Sequence, residues 1–446
     1  MKELNDMKKF KTNTYRSLLV IAMMVIVLPA CNIDEIDDPN NPPITLVNDA
    51  TLGEMQNLIS GMESGMRNRL GTYYDAVGVV GREFYRFSNS DPRFTTDLLG
   101  GGSSSLDNNT FYTTGPFNER YRVVKNANLL LEAIDNTSAA LTTAELNAMR
   151  GYAKTIKAYQ LLLVLNQQYS NGIRVDVDDP DNLGPRLDLS GSLSAIAALL
   201  DEGYGNITTP TMASAFPFAM SSGFANFDNP AAFAQFNRAL AARVALYSGS
   251  NPIPFLNDSF FDLTGNLNDG PSHSFSTAGG DLTNPVFFPP NATGEVRLAH
   301  PDFITDAEAG DTRLSKVLLR TSGAAVLDGL SSDYDFYVFT GQGEPIPIIR
   351  NEELILIYAE ANVGTNNTEA VNAINVIRNA AGLADYAGPV TDADILNEII
   401  NQRRYSLFGE GHRWVDMRRL NRLSDLPLDR AEDDIWTEFP VPATEG

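Results

Sequence analysis

Three helical segments follow one another near the carboxyl end of the chain: IPIIRNEELILIYAEAN (346–362), AVNAINVIRNAAGL (370–383) and DILNEIINQRRYSLFGEGHRWVDMRRL (394–420). Apolar residues in these segments recur three and four positions apart, as Val371, Ile374 and Ile377 do. This spacing places them on one face of a helix. The sequence therefore predicts three consecutive helices that pack together as one unit.

Charged residues stand among these helices in an order that a generic amphipathic helix does not require. They are Arg350, Glu353, Glu360, Arg378, Arg403, Arg404, Glu410, Arg413, Asp416 and Arg418. Such side chains are rarely buried unless they are paired, and a guanidinium group can bind a carboxylate through two parallel hydrogen bonds. We predict a structural ion-pair network in which Arg403 and Arg404 meet carboxylates such as Glu410. The alternative interpretation is an acid–base site formed by Glu410, His412 and Asp416, which requires a cleft.

The order of these residues resembles the carboxyl-terminal signature of the SusD/RagB family, the surface nutrient-binding lipoproteins of Bacteroidetes. The matching positions are Arg350, Glu353, Leu356, Ala359, Glu360, Ala361, Ala370, Ile374, Asn375, Arg378, Ala381, Gly382, Leu383, Arg403, Arg404, Leu407, Glu410, Gly411, Arg413, Trp414, Asp416, Arg418 and Arg419. Gln402 and Ser406 depart from the pattern, because the family usually has Glu at both positions. An ordered set of three motifs is far more specific than any one of them.

The resemblance implies a mostly α fold in which tetratricopeptide-like helical hairpins form the scaffold. Long irregular loops and a few short strands would carry the ligand face. Residues 48–446 would then form a single domain, with residues 346–446 as its signature region.

The resemblance also implies a function without catalysis. The protein would bind an oligosaccharide or polysaccharide at the cell surface and deliver it to a SusC-like TonB-dependent transporter of the outer membrane. Peptide capture, as in the RagB branch, is an alternative with the same transporter partner. A secreted glycoside hydrolase is a further alternative from a different class.

The amino terminus has the pattern of a lipoprotein signal peptide over residues 1–30. A lysine-rich start is followed by the apolar run at 17–28, which is too short to span a membrane. Leu28-Pro29-Ala30-Cys31 then resembles a lipobox. Cys31 is the single cysteine of the chain, so it has no partner for an internal disulfide. We predict cleavage before Cys31 and lipidation of that residue.

The segment after the predicted cleavage site is acidic and rich in Asn and Pro. Residues 31–47 cannot bury enough apolar surface to order themselves, so we predict a flexible tether there. Its acidity resembles the signal for display on the outer face of the outer membrane in Bacteroidetes lipoproteins. The formal net charge of −23 disfavours nucleic acid as a partner.

Two irregular regions, residues 72–114 and 250–345, combine aromatic residues with Arg, Asn, Asp and turn signals. Long loops in compact domains are usually functional or disordered, and these are too aromatic to be disordered. Flat aromatic faces stack on sugar rings, while Asn, Asp and Arg pair with hydroxyl groups. Aromatic packing between helices is the alternative role. The candidate ligand residues are Tyr73, Arg82, Tyr85, Arg86, Asn89, Asp91, Arg93, Phe94, Tyr112, Phe288, Tyr334 and Tyr337.

Further helices are predicted by the same apolar spacing at 50–70, 117–134, 144–169, 193–204 and 230–247. Gly71 is placed to end the first of them, and Thr143 can cap the third. Short strands are predicted at 335–339 and, from the family's closing F-P-I-P segment, at 438–442.

Motifs for catalysis and metal binding are missing from the sequence. It contains no G-x-S-x-G, H-E-x-x-H, Walker A or C-x-x-C motif, and its three histidines lie far apart. The loop with Asp176, Asp178, Asp179 and Asp181 has the ligand type that calcium prefers, but not the EF-hand spacing. We therefore expect no cofactor, with calcium at this loop as the alternative.

Overall fold

Helical hairpins form the scaffold of the computed structural model, which describes residues 48–445. The α-helices are α1 (Leu52–Arg67), α2 (Leu70–Val80), α3 (Phe111–Asn136), α4 (Thr143–Gln168), α5 (Leu189–Ile207), α6 (Pro230–Tyr247), α7 (Ile253–Asn257), α8 (Asp302–Thr305), α9 (Asn351–Asn362), α10 (Asn367–Ala380), α11 (Asp392–Ser406) and α12 (Arg413–Arg419). The predicted mostly helical fold is confirmed. The predicted signal peptide, the lipidation site at Cys31 and the tether at 31–47 lie outside the described residues.

Successive long helices pack against one another. Helix α3 packs on α1, and α4, α5 and α6 each pack on the helix before. Thr51 and Thr142 cap α1 and α4 with capping boxes. Each threonine side chain accepts a hydrogen bond from the backbone N–H of the glutamate three residues on, and the backbone N–H of the threonine donates to the carboxylate of that glutamate. The predicted cap at Thr143 is therefore shifted by one residue. No helix within residues 48–445 is long and apolar enough to cross a membrane.

The prediction that residues 72–114 form one long loop is wrong, because helix α2 and the strand after it occupy the first part of this region. Every residue of α2 except Thr72 is buried, so the helix has no polar face and its sequence shows no helical period. The predicted stop at Gly71 is also wrong. Helix α1 ends earlier, at Arg67, and Arg69 adopts a left-handed conformation (φ 53°) between the two helices.

Short strands surround this scaffold. They are β1 (Phe84–Ser88), β2 (Ile173–Arg174), β3 (Arg186–Leu187), β4 (Ser272–His273), β5 (Glu295–Ala299), β6 (Val317–Leu319), β7 (Ala325–Leu327), β8 (Leu330–Ser332), β9 (Tyr334–Phe336) and β10 (Ile346–Pro347). The largest sheet has the order β1-β5-β9-β6 with antiparallel neighbours. Ser88 pairs with Glu295, so the end of β1 lies beside the start of β5.

Two segments differ from the predicted strands. The strand predicted at 335–339 is β9, which ends at Phe336. Residues 438–442 form no strand. Phe439 is instead buried, and its backbone N–H donates to the carbonyl oxygen of Gln167 at 2.8 Å. This backbone hydrogen bond anchors an irregular segment to the end of α4.

Helices α9, α10 and α11 share a hydrophobic cluster of their own, which confirms that the three signature segments pack as one unit. The cluster consists of Ile355, Leu356, Ala359, Ala370, Ala373, Ile374, Ile377, Ile395, Ile399 and Leu407. Most of the other buried apolar residues belong to the larger core beneath the hairpins and the main sheet.

Ion pairs hold the signature helices to their neighbours, as predicted. Arg350 Nη2 lies 2.8 Å from Glu410 Oε1, and Arg403 Nε lies 2.6 Å from Asp416 Oδ2. Arg378 bridges to Glu398 at 2.6 Å. These guanidinium groups are at most 6% exposed, so the pairs are buried and structural.

Further pairs extend from Glu353 and Glu360. Glu353 Oε2 lies 2.6 Å from Arg243 Nη2, and Glu360 Oε1 lies 2.5 Å from Arg419 Nη1. Both arginines come from a helix other than that of the glutamate, so each pair joins two elements.

Three arginines are placed differently from the prediction. Arg404 pairs with the half-exposed Asp306 instead of Glu410. Arg413 makes no ion pair with any described residue, and Arg418 donates to the carbonyl oxygens of Asn166 and Thr437. Arg418 also lies over the rings of Tyr169 and Trp414. Sequence spacing does not show that backbone carbonyls and aromatic rings can replace carboxylates here.

The alternative acid–base site at Glu410, His412 and Asp416 is not supported by the geometry. All three side chains are at most 10% exposed and are held in the ion pairs between helices or beside them. The nearby cavity lined by Arg418 and Arg419 has a volume of about 100 Å³. Ligand pockets are usually several times larger.

Candidate ligand-binding face

The candidate site lies at one end of the main sheet, where β1 ends and β5 begins. Two loops meet there, residues 89–94 after β1 and residues 287–294 before β5. The backbone N–H of Asn89 donates to the carbonyl oxygen of Gly294 at 2.8 Å and joins the loops. Gly294 has φ +85°, a conformation that L side chains rarely adopt, so glycine fits this junction.

Arginine and phenylalanine side chains alternate across this surface. The guanidinium carbon of Arg86 lies 4.8 Å from the ring centroids of both Phe94 and Phe288. Phe94 contacts Phe111 edge to face at 5.1 Å, and Arg93 lies 4.8 Å from the ring centroid of Phe111. We call Arg86, Arg93, Phe94, Phe111 and Phe288 the arginine–aromatic face. Each cation–ring contact contributes about 0.5–2 kcal/mol and fixes the orientation of both groups.

Buried carboxylates hold the inner side of the face. Asp75 of α2 accepts two hydrogen bonds from Arg297, at 2.5 and 2.8 Å, and lies 3.6 Å from Arg86. The guanidinium carbon of Arg297 in turn lies 4.7 Å from the ring centroid of Phe288. The buried helix α2 therefore positions Arg297 beside the half-buried ring of Phe288.

The outer carboxylates are Asp91 and Glu295. Asp91 accepts hydrogen bonds from Arg93 Nε and Nη2 at 2.8 and 2.7 Å, and this pairing lowers the pKa of Asp91. Burial works against ionisation of Glu295, but hydrogen bonds from Ser88, Arg86 and Ser90 outweigh it and lower the pKa. Both groups are therefore anionic hydrogen-bond acceptors at neutral pH.

Part of the face is open to a ligand. The side chains of Arg93 and Glu295 are 44% and 41% exposed, Asn89 is exposed, and Phe111 and Phe288 are half-buried. Ring faces therefore lie next to guanidinium, carboxylate and amide groups. This combination binds flat apolar surfaces that carry hydroxyl or amide groups.

Six of the predicted ligand residues are buried, and the prediction that they contact a ligand needs correction. They are Tyr73, Arg82, Tyr85, Arg86, Phe94 and Tyr112. Arg82 donates to the carbonyl oxygens of Pro427 and Asp434, and Tyr112 donates to Asp97 Oδ2 at 2.8 Å. Of the six, Arg86 and Phe94 support the face from below.

Tyr334 and Tyr337 are half-buried at a different place. Tyr334 belongs to β9, which is separated from β1 by β5, and Tyr337 donates its backbone N–H to Lys316. The structure therefore brings Asn89, Asp91, Arg93 and Phe288 together and leaves these two tyrosines apart.

Sequence reasoning missed Phe111 and Glu295. Phe111 begins α3 beside Tyr112, and neighbouring residues on a helix point about 100° apart. The two rings therefore point in different directions, and the sequence does not show which of them faces inward. Glu295 stands opposite Ser88 in the pairing of β1 with β5, which local sequence does not show.

The acidic loop at 176–181 has local contacts. Asp176 and Asp178 hydrogen-bond to each other, which raises the pKa of Asp176 and lowers that of Asp178, and Asp179 accepts from the backbone N–H of Asp181 at 3.0 Å. Within residues 48–445 no three His, Cys, Asp or Glu side chains are arranged to hold a metal ion. Calcium at this loop remains an untested alternative.

Comparison with known families gives a match in the carboxyl-terminal part of the chain. The family model described as the SusD family matches residues 321–436, which include all three signature segments. The carboxyl-terminal part of the chain is therefore similar to the SusD family. A search of curated protein sequences gave no match.

Solved SusD-like structures share the fold over most of both chains. A SusD superfamily protein from Bacteroides vulgatus superposes with a TM-score of 0.65 at 16% identity, covering 88% of this chain and 96% of that chain. Surface glycan-binding protein A from Bacteroides thetaiotaomicron gives 0.66 at 12% identity, covering 88% and 96%. A protein described as a laminarin-binding SusD-like protein gives 0.58 at 18% identity, covering 89% and 97%.

Proposed function

We propose that this SusD-like protein is a non-catalytic glycan-binding protein whose ligand lies on the arginine–aromatic face. Phe111 and Phe288 would stack on sugar rings, while Arg93, Asn89 and Glu295 would bind their hydroxyl groups. The observation that carries the proposal is the alternation of half-buried rings with oriented charged groups. The descriptions of similar structures as glycan-binding and laminarin-binding proteins support the ligand class.

The same face argues against a glycoside hydrolase. Hydrolysis of a glycosidic bond by a carboxylate pair requires one carboxylic acid with a raised pKa as the proton donor. Asp91 and Glu295 both have lowered pKa values, because arginine and serine side chains stabilise their ionised forms. Neither group is suited to donate a proton near neutral pH.

We further propose that the protein is anchored to the outer membrane by a lipid on Cys31 and passes its ligand to a SusC-like TonB-dependent transporter. The lipobox-like sequence and the match of residues 321–436 to the SusD family model support this placement. Growth of the native organism with labelled palmitate tests the anchor, because Cys31→Ala should remove the label. Detergent extraction and affinity purification should then recover a TonB-dependent barrel with the full chain. Purification without a barrel would contradict the partnership.

Calorimetric titration of the protein without residues 1–31 tests the ligand class. The panel contains laminarin oligosaccharides, neutral α-glucan oligosaccharides, acidic oligosaccharides and peptides of similar length. We expect saturable binding to a neutral oligosaccharide. Binding to peptides alone would favour the peptide-capture function, and release of reducing ends from any glycan would contradict the non-catalytic assignment.

Variants locate the site on the molecule. Arg93→Ala and Phe111→Ala should each weaken oligosaccharide binding at least tenfold, because each removes a group open to the ligand. Arg122→Ala is the matched control, since its side chain is 42% exposed and pairs with Glu119 at 2.6 Å, much as Arg93 pairs with Asp91. Equal affinity in the Arg93, Phe111 and control variants would place the ligand elsewhere.

A further inference from the structure

A second cleft lies away from the arginine–aromatic face and has a volume of about 270 Å³. One wall is a face of α1, on which Gln56, Ser60, Glu63, Ser64 and Arg67 recur three and four positions apart. The opposite wall is formed by residues 219–224 and by the segment from Ser272 to Ser274. No residue of the arginine–aromatic face lines it.

The walls of the cleft are fixed by hydrogen bonds between α1 and the loop opposite. The side-chain amide of Gln56 donates to the carbonyl oxygen of Ala219 at 3.0 Å and accepts from its N–H at 2.8 Å. Glu63 accepts from the N–H of Ser221 at 2.7 Å and from the hydroxyl group of Tyr152 at 3.1 Å. The cleft therefore exists before any ligand binds, which lowers the entropic cost of binding.

Polar groups converge on this space from both walls. Glu63 is only 8% exposed, so its carboxylate is a buried acceptor in the wall. Arg67 donates from Nη1 to the carbonyl oxygen of Ser274 and to Asp281. Its Nε and Nη2 have no hydrogen-bond partner among the described residues. Serine hydroxyl groups supply further donors and acceptors, and they come from Ser60, Ser64, Ser221, Ser272 and Ser274.

The composition of the lining selects the chemical class of the ligand. Arg67 is paired with Asp281, and Glu63 accepts hydrogen bonds from Ser221 and Tyr152. Both charged groups of the lining therefore already have partners, and the cleft selects neither an anion nor a cation. Five hydroxyl groups match a ligand that itself carries several hydroxyl groups. Phe224, Met66 and Met220 add apolar surface for the carbon–hydrogen face of such a ligand.

The volume limits the size of the ligand. Pockets for drug-sized ligands measure about 300–1,000 Å³. A cleft of about 270 Å³ is just below that range and fits one sugar ring rather than a chain of them. We propose that this cleft is a second binding site, for a neutral polyhydroxy compound of monosaccharide size.

The site would make the protein sensitive to free monosaccharide separately from its oligosaccharide ligand. The inference does not rest on the proposed function, because the two sites share no residue. Saturation-transfer NMR with the protein lacking residues 1–31 tests it, using glucose, galactose, mannose and myo-inositol at millimolar concentrations. We expect saturable transfer to at least one of these compounds.

Blocking variants locate the binding. Ser64 and Ser60 are exposed on the cleft rim, so Ser64→Tyr and Ser60→Leu should fill the opening and lower the monosaccharide affinity at least tenfold. Asn57→Tyr is the matched control, because Asn57 is exposed on the same helix but does not line the cleft. Melting curves confirm that each variant is folded.

Comparing oligosaccharide and monosaccharide binding in the same variants distinguishes the two sites. Ser64→Tyr should leave oligosaccharide affinity unchanged, and Arg93→Ala should leave monosaccharide binding unchanged. No saturable transfer from any of the four compounds would overturn the proposal. Monosaccharide binding that survives both Ser64→Tyr and Ser60→Leu would overturn it as well, whatever the outcome at the arginine–aromatic face.

Discussion

At the scale of single residues, Glu83 stands out because it is a buried carboxyl group and no cationic side chain among residues 48–445 lies at ion-pair distance from it. Its Oε1 accepts from the backbone N–H of Gly409 at 3.0 Å, and its Oε2 has no hydrogen-bond partner in the described part of the chain. Burial raises the pKa of Glu83 from 4.5 to about 7. Such a group favours the folded state when it is protonated.

Glu83→Gln should therefore flatten the dependence of stability on pH. Because the folded-state pKa is raised, the contribution of Glu83 to the free energy of unfolding is fully present below pH 4.5 and is lost as pH rises through 7. The loss amounts to roughly 3 kcal/mol. Urea unfolding at pH 5 and pH 8 should show a larger fall for the natural chain than for Glu83→Gln. Glu432→Gln is the exposed control, and an identical pH dependence in all three proteins would contradict the assignment.

Tyr85→Ala should destabilise the fold. The ring is 3% exposed, stacks on Phe87 at 5.7 Å and contacts His300 at 5.2 Å. Removing a buried aromatic side chain costs about 3–5 kcal/mol. Chemical denaturation should show this loss for Tyr85→Ala and a change below about 1 kcal/mol for Arg93→Ala. A stable Tyr85→Ala protein that has lost oligosaccharide binding would restore Tyr85 to the ligand site.

Single residues also mark the limit of prediction from sequence. Asn89, Asp91, Arg93 and Phe288 were predicted as ligand residues, and the structure brings them to one face. Tyr85 also lies among aromatic and polar residues in the sequence, as those four residues do, but its side chain points into the core. Composition identifies a region that carries aromatic and polar groups. It does not determine which ring of a pair faces solvent, since that depends on contacts distant in the chain.

At the scale of secondary-structure elements, the close approach of α4 and α5 depends on glycine. A Cβ atom at Gly151 would lie 2.2 Å from Ile207 Cγ1 and 2.7 Å from the carbonyl oxygen of Gly203. The two helix backbones are therefore nearly in contact at this point. Only a residue without a side chain fits there.

Gly151→Ala should destabilise the protein by about 1–3 kcal/mol, because the added methyl group forces α4 and α5 apart. Gly205→Ala is the matched control in α5, since nothing lies within 4 Å of its Cβ position. That substitution should stabilise the protein by about 0.4–1 kcal/mol. Thermal melts of the two variants should shift in opposite directions, and a shift in the same direction would contradict the helix contact.

Elements with one polar face were predictable, and fully buried elements were not. Helix α6 begins and ends at the predicted residues, 230 and 247, and α4 differs by one residue at each end. Helix α2 was missed because burial on nearly all sides removes the period on which the prediction depends. The strands are short and paired with distant segments, so their neighbours could not be read from local sequence.

At the scale of the whole molecule, the buried pair Arg243–Glu353 joins the helical hairpins to the signature helices. Arg243 lies on α6 and Glu353 on α9, and their two hydrogen bonds measure 2.7 and 2.6 Å. Burial opposes ionisation of Glu353, but Arg243 outweighs it and lowers the pKa. The contribution of the pair is therefore present above pH 4.5 and is lost as pH falls through the lowered pKa.

Glu353→Ala should destabilise the whole molecule by about 3–5 kcal/mol, because it leaves Arg243 as an unpaired buried charge. Asp306→Ala breaks the pair with Arg404, in which Asp306 is 52% exposed, and should cost less than about 1 kcal/mol. Urea unfolding measures both values. A fall of less than about 1 kcal/mol in the free energy of unfolding of Glu353→Ala would contradict this role of the pair between the helical hairpins and the signature helices.

The structure of the protein with a bound neutral oligosaccharide tests the central claim most directly. We expect one sugar ring against Phe111 or Phe288, with hydroxyl groups hydrogen-bonded to Arg93, Asn89 or Glu295. An oligosaccharide bound elsewhere, with these side chains free of contact, would contradict it.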